Sequence, residues 1–217
     1  MYRIAFLGPP GSGKGTQAQL LAPTLEVPIV GPGALYRKEI AANSELGQRV
    51  RDAVESGGMV PNAITNEVIA KYLREPACVR GYILDGYPRE QEQLAALDTA
   101  PLPLTHAIYL AIPEAVVYHR LAERLVCICG AQFNRRELAL DHGDEARCDA
   151  CDGALERRKD DDPARIAQRI AHYRAETEPV IASLRERGIL VEIDGTRAIA
   201  VVHQEIVERI AAATEAA

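Results

Sequence analysis

The sequence predicts an α/β fold in which parallel strands form a central sheet and helices cover both of its faces. Short apolar runs typical of buried strands alternate along the chain with longer stretches of helical periodicity. In addition, the first apolar run leads through a glycine-rich loop straight into a helical pattern. Alternating strands and helices fold as a parallel sheet, because each connecting helix packs back onto the sheet. Ligands of such folds bind beyond the carboxyl ends of the strands, which is where the glycine-rich loop would lie.

Five apolar runs are the candidate strands of this sheet. They occupy residues 3–7, 27–30, 82–84, 107–112 and 189–193. The helical patterns occupy residues 15–25, 63–74, 89–97, 114–125, 163–187 and 198–213. The first helix shows how the assignment is made, because Ala18, Leu21 and Leu25 recur at a spacing that places them on one face. The sheet is therefore expected to have five strands.

Two segments interrupt the alternation and are predicted to be insertions. Residues 31–60 are helical and polar, and a new helix is expected to begin near Ser44 and Glu45. Residues 126–158 contain cysteines, glycines and charged residues but few aliphatic side chains, which indicates a small module held together by its cysteines. The predicted core domain therefore consists of residues 1–30, 61–125 and 159–217.

Composition and charge narrow the classes of function. The 217 residues suit one domain with insertions, and the 47 % apolar fraction supports a well-buried core. A net charge of −6 argues against nucleic acid as the main partner. No apolar stretch is long enough to span a bilayer, and no charged-then-apolar leader precedes the first strand. We therefore expect a cytoplasmic protein that binds neither nucleic acid nor membrane.

The glycine-rich loop is the strongest functional signal in the chain. Gly8, Gly13 and Lys14 meet the pattern G-x-x-x-x-G-K, in which backbone N–H groups and a helix N-terminus face phosphate. Gly15 stands where serine or threonine is usual, and Thr16 follows one position later. The alternative is a plain turn between strand and helix, but such a turn needs neither four glycines nor a lysine. The loop therefore predicts a site for nucleotide phosphates.

A second signal follows the third predicted strand. Asp85 ends an apolar run where a parallel strand beside the loop would meet the phosphates, so its carboxylate is a candidate ligand of Mg²⁺. Its alternative role is to cap the next helix or turn. Gly86 and Pro88 form a turn that presents Arg89, and a guanidinium group matches two phosphate oxygens. A surface ion pair is the alternative role of this arginine.

Four of the five cysteines lie in the second insertion as two close pairs. Cys127 and Cys129 have C-x-C spacing, whereas Cys148 and Cys151 have the C-x-x-C spacing of zinc knuckles. In a reducing compartment this grouping favours a metal site over disulfides. We predict a structural Zn²⁺ held by the four thiolates, with a metal-free or a disulfide-bonded module as the alternatives. A closed set of protein ligands leaves no open coordination position, so this ion would not be catalytic.

Taken together, these residues resemble the adenylate kinase family of nucleoside monophosphate kinases over essentially the whole chain. The resemblance is carried by residues 8–16 with their Gly-Lys-Gly-Thr ending, by 85–89, by 158–161 and by 194–196. It implies a P-loop fold and the reaction Mg·ATP + AMP ⇌ 2 ADP, with ATP, AMP and ADP as partners. It also implies that the first insertion binds AMP and that the second closes on ATP as a lid. A monomer is the simplest state for an enzyme with two moving parts.

The resemblance assigns roles to residues that match the family's motifs. The catalytic group would be Lys14, Asp85, Arg89, Arg124, Arg158 and Arg169. The ATP side would use Gly11, Ser12, Gly13, Lys14, Gly15, Thr16, Arg120, Arg124 and Arg197. The AMP side would use Pro32, Arg37, Met59, Val60, Gly86, Arg89, Gln93, Arg158 and Arg169. For any one of these arginines taken alone, a solvated ion pair is the ordinary role.

Three departures from the family pattern keep other functions open. Pro32 and Ala34 stand where the acceptor segment usually has a hydroxyl group and an acid. Leu125 replaces an arginine of many relatives, and the first cysteine pair is one residue short. A kinase that acts on CMP, UMP or GMP is therefore one alternative. A sensor that binds ATP without transferring phosphate is another, although a sensor would not need the arginines at 89, 124, 158 and 169.

Overall fold

The structure, a computed structural model, describes residues 1–56, 58–127, 129, 131–135, 147–157 and 161–215 of the chain. Its strands are β1 (Tyr2–Leu7), β2 (Ile29–Val30), β3 (Gly81–Asp85), β4 (His106–Ala111), β5 (Arg124–Cys127), β6 (Gln132–Asn134), β7 (Leu155–Glu156) and β8 (Leu190–Asp194). Its helices are α1 (Lys14–Leu25), α2 (Pro32–Ala41), α3 (Glu45–Ser56), α4 (Asn62–Leu73), α5 (Gln91–Asp98), α6 (Glu114–Ala122), α7 (Pro163–His172), α8 (Glu178–Glu186) and α9 (Ile199–Glu215).

Five parallel strands form the central sheet in the described part of the chain, in the order β2-β3-β1-β4-β8. The middle strand β1 pairs with β3 on one side and with β4 on the other, so that Ile4 lies opposite Ile83 and His106. The predicted α/β fold with a five-stranded parallel sheet is thereby confirmed. Because β1 and β3 are neighbours, the glycine-rich loop and Asp85 follow adjacent carboxyl ends.

The two faces of the sheet are covered by different helices. Ile4 packs with Leu21 of α1 and Ile206 of α9. The next residue, Ala5, belongs to a second cluster, which it shares with Val68 of α4 and with side chains of α2 and α3. Successive side chains of a strand point to opposite faces, so a strand buried on both faces reads as a continuous apolar run. This burial is why the strands were visible in the sequence.

The first insertion consists of α2 and α3, and a buried carboxylate fastens it to α4. As predicted, α3 begins at Glu45, and the Ser44 Oγ caps it by accepting a hydrogen bond of 3.0 Å from the Gly47 N–H. Glu39 of α2 is 3 % exposed and accepts hydrogen bonds from Lys71 Nζ at 2.6 Å and from Ser44 Oγ at 2.5 Å. These two donors, together with the Tyr72 hydroxyl group, lower the Glu39 pKa to about 2. The Glu39 carboxylate is therefore ionised at neutral pH.

The second insertion contains a small antiparallel sheet, in the order β6-β5-β7 within the described residues. The helix predicted over 114–125 is too long, because α6 ends at Ala122 and β5 begins at Arg124. Leu125 continues the apolar spacing of the helix, but its backbone pairs with Phe133 of β6. The pairing partners of β5 come later in the chain, so the local periodicity could not indicate where the helix ends.

The remaining elements differ from the predicted ones in small ways. The helix expected over 163–187 is divided by a π-helical turn at Tyr173–Thr177, which joins α7 to α8. The second strand is shorter than expected because Pro28, which precedes it, has no N–H to donate. Over the described residues, none of the helices combines the length and the apolar character that crossing a bilayer requires.

Candidate active site

The glycine-rich loop connects β1 to α1 in a conformation that requires glycine. Gly13 at the N-cap of α1 has a φ of 95°, and Gly8 has a φ of 141°, both outside the range that most residues adopt. A Cβ on Gly8 would also lie 2.7 Å from the Leu110 carbonyl oxygen and 2.7 Å from Ser12 Oγ. The loop therefore curls tightly against β4 immediately before a helix N-terminus, which is the arrangement that binds phosphate.

Lys14, the first residue of α1, folds back onto this loop. Its ammonium group donates hydrogen bonds of 2.8 Å to the carbonyl oxygens of Gly8 and Pro9, and it lies 3.4 Å from Ser12 Oγ. Burial lowers the Lys14 pKa to about 7, although the nearby Asp85 carboxylate opposes the shift and neighbouring arginines add to it. The loop therefore holds a lysine whose charged form is disfavoured by burial and by the nearby arginines.

Asp85 ends β3 and lies against the first turn of α1. A Cβ added to Gly15 would be 3.2 Å from Asp85 Oδ2 and 3.4 Å from Gln132 Nε2. The lack of a side chain at Gly15 therefore lets the carboxylate and a side chain of β6 approach the helix together. Mg²⁺ prefers carboxylate oxygens and is commonly bound through one or two of them together with substrate phosphates. The oxygen donors of Asp85, beside a phosphate-binding loop, fit such an ion.

Asp161 joins two of the arginines that the sequence analysis selected. Its carboxylate accepts hydrogen bonds from Arg124 Nη2 at 2.6 Å, from Arg124 Nε at 2.8 Å and from Arg169 Nη1 at 2.9 Å. The Asp161 side chain is 1 % exposed, against 12 % for Arg124 and 29 % for Arg169. Asp161 is not among the residues predicted from the sequence to have a role in the site. Its only signal was its place in the motif at 158–161.

On the acceptor side, Arg89 is held by its own turn. Its Nε donates a hydrogen bond of 2.8 Å to the Gly86 carbonyl oxygen, and its backbone N–H donates one of 2.7 Å to Gln93 Oε1. Gln93 is 5 % exposed, and its Nε2 donates to Asn62 Oδ1 at 2.7 Å. The amide that the resemblance assigns to the acceptor base is thus engaged with protein groups in this structure.

On the donor side, Arg120 and Arg197 lie near the turn that follows β8. Arg120 donates hydrogen bonds to the Gly195 carbonyl oxygen at 2.8 Å and to the Gly11 carbonyl oxygen at 3.4 Å. It therefore links the glycine-rich loop to that turn. Arg197 forms an ion pair with Glu205 of α9.

These groups line one cleft of about 1650 Å³. Its walls include most of the predicted site residues: Gly11, Ser12, Gly13, Lys14, Gly15, Thr16, Arg37, Met59, Asp85, Gly86, Arg89, Arg120, Arg124, Arg169 and Arg197. Three described residues of the set predicted for catalysis and nucleotide binding, Pro32, Val60 and Gln93, are not part of its lining. Arg158 lies outside the described residues.

Several other side chains of this cleft carry little recognisable signal in the sequence. Gln132 and Phe133 of β6 line it, as do Gln168 and His172 of α7. None of them belongs to a motif, and they enter the cleft because the small sheet and α7 lie beside the loop. The spacing of Gln168 and His172, at i and i+4 on a helix that begins after the 158–161 motif, was the one available signal.

The four cysteines of the second insertion form a compact group. Their Sγ atoms all lie within 4.8 Å of one another, with 3.3 Å between Cys127 and Cys151 and 3.5 Å between Cys129 and Cys148. In a tetrahedron with Zn–S distances of about 2.3 Å, the sulfur atoms are about 3.8 Å apart. A backbone hydrogen bond from Ala131 and the neighbouring thiols lower the Cys129 pKa to about 7. The four cysteines therefore fit a tetrahedral metal ion despite the short C-x-C spacing.

Comparison with known proteins covers nearly the whole chain. The family model for adenylate kinase matches residues 6–189. The adenylate kinase of Thermosipho melanesiensis is 38 % identical over 212 residues, which are 95 % of this chain and 98 % of that protein. The adenylate kinase of Thermotoga maritima is 38 % identical over 216 residues, covering 97 % of each chain. Another relative, from Dehalococcoides mccartyi, is 39 % identical over 217 residues, covering 97 % of this chain and 98 % of that protein. Similarity that extends through the sheet and both insertions shows that the chain belongs to the adenylate kinase family of phosphotransferases, as its motifs predict.

Proposed function

We propose that this enzyme transfers the terminal phosphate of Mg·ATP to AMP and releases two molecules of ADP. One observation carries the proposal. The glycine-rich loop and the acceptor-side residues Arg37 and Arg89 line the same cleft. The four basic residues Lys14, Arg89, Arg124 and Arg169 all line this cleft, where the phosphate chain would lie. A sensor that only binds ATP has no need for such a group.

The donor half is built around the loop. We assign the β- and γ-phosphates of ATP to the backbone N–H groups of Gly11 to Thr16 and to Lys14, with Ser12 as part of the same loop. Arg120 and Arg197, on the side of the turn after β8, are assigned to the nucleoside end. This assignment is supported by the Arg120 hydrogen bonds that connect the loop to that turn.

The acceptor half is built around Arg89 and the first insertion. We assign the AMP phosphate to Arg37 and Arg89, and the nucleoside to the segment near Met59, Val60, Pro32 and Gly86. Gln93 is the proposed contact of the base. In the structure Gln93 Nε2 donates a hydrogen bond to Asn62 Oδ1, so on binding AMP the Gln93 amide would replace this partner with the base.

Transfer between the two halves depends on alignment and charge rather than on a covalent intermediate. Arg124 and Arg169, oriented by Asp161, would neutralise charge on the transferring phosphate, together with Lys14 and with Arg158 of the 158–161 motif. Asp85 is the residue that would hold Mg²⁺, which when bound supplies further neutralisation of the phosphate oxygens. A closed cleft keeps water from the phosphate, and fixed charges act more strongly there than in water.

A coupled assay of ADP formation tests the proposal. With Mg·ATP at saturation, AMP, CMP, UMP and GMP are compared as acceptors, and we expect kcat/KM for AMP to exceed the others by at least about tenfold. No turnover with any monophosphate would contradict phosphoryl transfer. A higher value for another monophosphate would contradict AMP as the acceptor, and it would point to the departures at Pro32 and Ala34.

Proton uptake on ATP binding is expected at Lys14. Burial holds its pKa at about 7, whereas phosphate oxygens beside the ammonium group favour the charged form and raise the pKa. At pH 8 the group is therefore mostly neutral before binding and charged afterwards, while at pH 6 it is charged in both states. Isothermal titration calorimetry in buffers of different ionisation heat should show more uptake at pH 8 than at pH 6. Equal uptake at both pH values would argue against this shift.

We propose that the four cysteines of the second insertion hold a structural Zn²⁺. Their Sγ distances suit tetrahedral thiolate coordination, and the four ligands come from two chain segments that the ion would tie together. The ion would stabilise the fold of the insertion and take no part in the reaction.

Removal of one ligand tests this metal site. Cys148→Ala should lower the bound zinc from about one ion per chain to nearly none and should lower the melting temperature, because the binding free energy of a structural zinc ion contributes to folding. Cys78→Ala is the control, since Cys78 is buried away from the group. Elemental analysis and differential scanning calorimetry give both quantities. Equal zinc content in wild type and Cys148→Ala would exclude the four-cysteine site.

The domain roles complete the proposal. We assign residues 1–30, 61–125 and 159–217 to the core, residues 31–60 to the AMP-binding insertion and residues 126–158 to the lid. The lid assignment is supported by Gln132 and Phe133, which line the cleft from the second insertion. A monomer in the reducing cytoplasm suits both two moving parts and four free thiols in one group.

A further inference from the structure

One group of polar side chains next to Arg89, on the acceptor side, takes no part in the proposed reaction. It consists of Glu90, Asn62 and His172, and it joins three separate elements. Glu90 directly follows Arg89 in the chain, Asn62 is the first residue of α4 after the first insertion, and His172 ends α7 three residues after Arg169. The elements that carry the acceptor-side cations and the insertion thus meet at one carboxylate.

The two oxygens of Glu90 serve different partners. Its Oε2 accepts a hydrogen bond of 2.5 Å from Asn62 Nδ2, and its Oε1 lies 3.9 Å from His172 Nε2. The Nε2 atom is buried and finds no hydrogen-bond partner among the described residues. Because a buried donor without a partner is unfavourable, a shift of about 1 Å that brings it to Glu90 would be stabilising. Both the neutral Nε2–H tautomer and the imidazolium can donate this bond.

From Asn62 the hydrogen bonds continue to Arg89. Asn62 Oδ1 accepts from Gln93 Nε2 at 2.7 Å, and Gln93 Oε1 accepts from the Arg89 N–H at 2.7 Å. The orientation of the Asn62 amide therefore sets the orientation of the Gln93 amide, since each group can donate only through nitrogen and accept only through oxygen. Glu90 supports the first of these orientations by accepting from Asn62 Nδ2 at 2.5 Å, a shorter contact than the one of 3.2 Å that the exposed Glu92 makes with the same nitrogen.

We propose that Glu90 is a positioning residue for the acceptor side, and that His172 and Asn62 act through it. This inference rests on the proposed phosphoryl transfer to AMP. The Glu90 carboxylate holds the turn that presents Arg89 from two directions, by α4 through Asn62 and by α7 through His172. Without it the turn keeps the hydrogen bond of 2.9 Å from Thr177 Oγ1 to the Arg89 carbonyl oxygen but loses its contact with α7 itself, and the acceptor phosphate is held out of line. A displacement of about 1 Å in such a site can lower the rate by up to about 100-fold.

Steady-state kinetics on the full chain, with AMP and ATP varied separately, test the inference. Glu90→Ala should raise KM for AMP by about tenfold and lower kcat, while KM for ATP changes by less than about twofold. His172→Ala should raise KM for AMP by about three- to fivefold. If the two residues act as a unit, the double variant should be no worse than Glu90→Ala alone. Glu90→Gln keeps one acceptor oxygen for Asn62 but places an amide nitrogen toward His172, so its KM for AMP should lie between those of wild type and Glu90→Ala.

Glu92→Ala is the matched control. Glu92 Oε2 also accepts from Asn62 Nδ2, at 3.2 Å, but it is exposed and His172 does not pair with it. Its KM for AMP should stay within about twofold of wild type. Thermal melting establishes that each variant is folded, and His172→Gln replaces His172→Ala if the latter does not fold.

Three outcomes overturn the inference, provided that the wild type uses AMP. Glu90→Ala leaves KM for AMP unchanged, or it raises KM for AMP and for ATP equally, or the effects of Glu90→Ala and His172→Ala are additive. A wild type without turnover would instead overturn the proposed function.

Discussion

Lys14→Met should lower kcat by about 10³-fold while leaving the protein folded. Removal of one preorganised donor of charge stabilisation typically lowers kcat by about 10²–10³-fold, and Lys14 is the cation on the glycine-rich loop itself. Methionine keeps a similar length and fills the same space under the loop. The rate of ADP formation at saturating Mg·ATP and AMP measures the effect.

Stability should move in the opposite direction from activity. The Lys14 pKa is about 7 in the folded protein and 10.5 in its ordinary state, so the unfolded chain binds more protons between these values. Burial of this lysine therefore destabilises the fold, fully at pH 7 and below and less as the pH rises toward 10. The increase in melting temperature of Lys14→Met over wild type should therefore be larger at pH 7 than at pH 10.

Lys38→Met is the control, because Lys38 is exposed and lies outside the cleft lining. This variant should retain kcat within about twofold of wild type. A catalytically competent Lys14→Met would refute the assigned role.

Asp161→Asn should lower both activity and stability. Asparagine retains the shape of the side chain but leaves Arg124 and Arg169 without the carboxylate that they share. Breaking a buried ion pair by removal of one partner costs about 3–5 kcal/mol, and the partial exposure of Arg169 places the expected loss at about 2–4 kcal/mol. We expect kcat to fall by about 10²-fold because both guanidinium groups lose their orientation. Urea unfolding and the coupled assay measure the two effects.

Asp98→Asn is the matched control for this prediction. Asp98 also accepts two hydrogen bonds from one arginine, Arg187, at 2.6 and 2.8 Å, but both side chains are exposed by 40 % or more. An exposed pair of this kind contributes about 0–1 kcal/mol, so stability and kcat should remain close to wild type. Equal losses in the two variants would show that burial of the Asp161 pair has no special effect. An unchanged kcat in Asp161→Asn would remove Asp161 from the proposed mechanism.

Most of the phosphate-binding half could be predicted because its residues are contiguous. Residues 8–16 contain the glycines and the lysine in one segment, and in the structure they form the loop after β1 and the first turn of α1. The same holds for Asp85 to Arg89, which follow a strand whose apolar run is unbroken. Local order of this kind depends on backbone geometry and burial, both of which leave patterns in the sequence.

The acceptor half was harder to predict because its contacts join distant segments. Gln93 was selected as a base contact, yet its amide is bound to Asn62, which lies 31 positions earlier. His172 belongs to no motif, although it lines the cleft beside Glu90. Neither contact has a spacing or motif that a single sequence displays.

By itself, the sequence determined the α/β class, the order of its strands and helices, the phosphate-binding loop and membership in the adenylate kinase family. Only the tertiary structure decided which side chains meet: Asp161 with Arg124 and Arg169, Glu90 with Asn62, and the four thiols within 4.8 Å of one another. The physical reason is that periodicity and turn chemistry act over a few neighbouring residues, whereas an ion pair or a metal site depends on where the packed sheet and helices bring remote segments together.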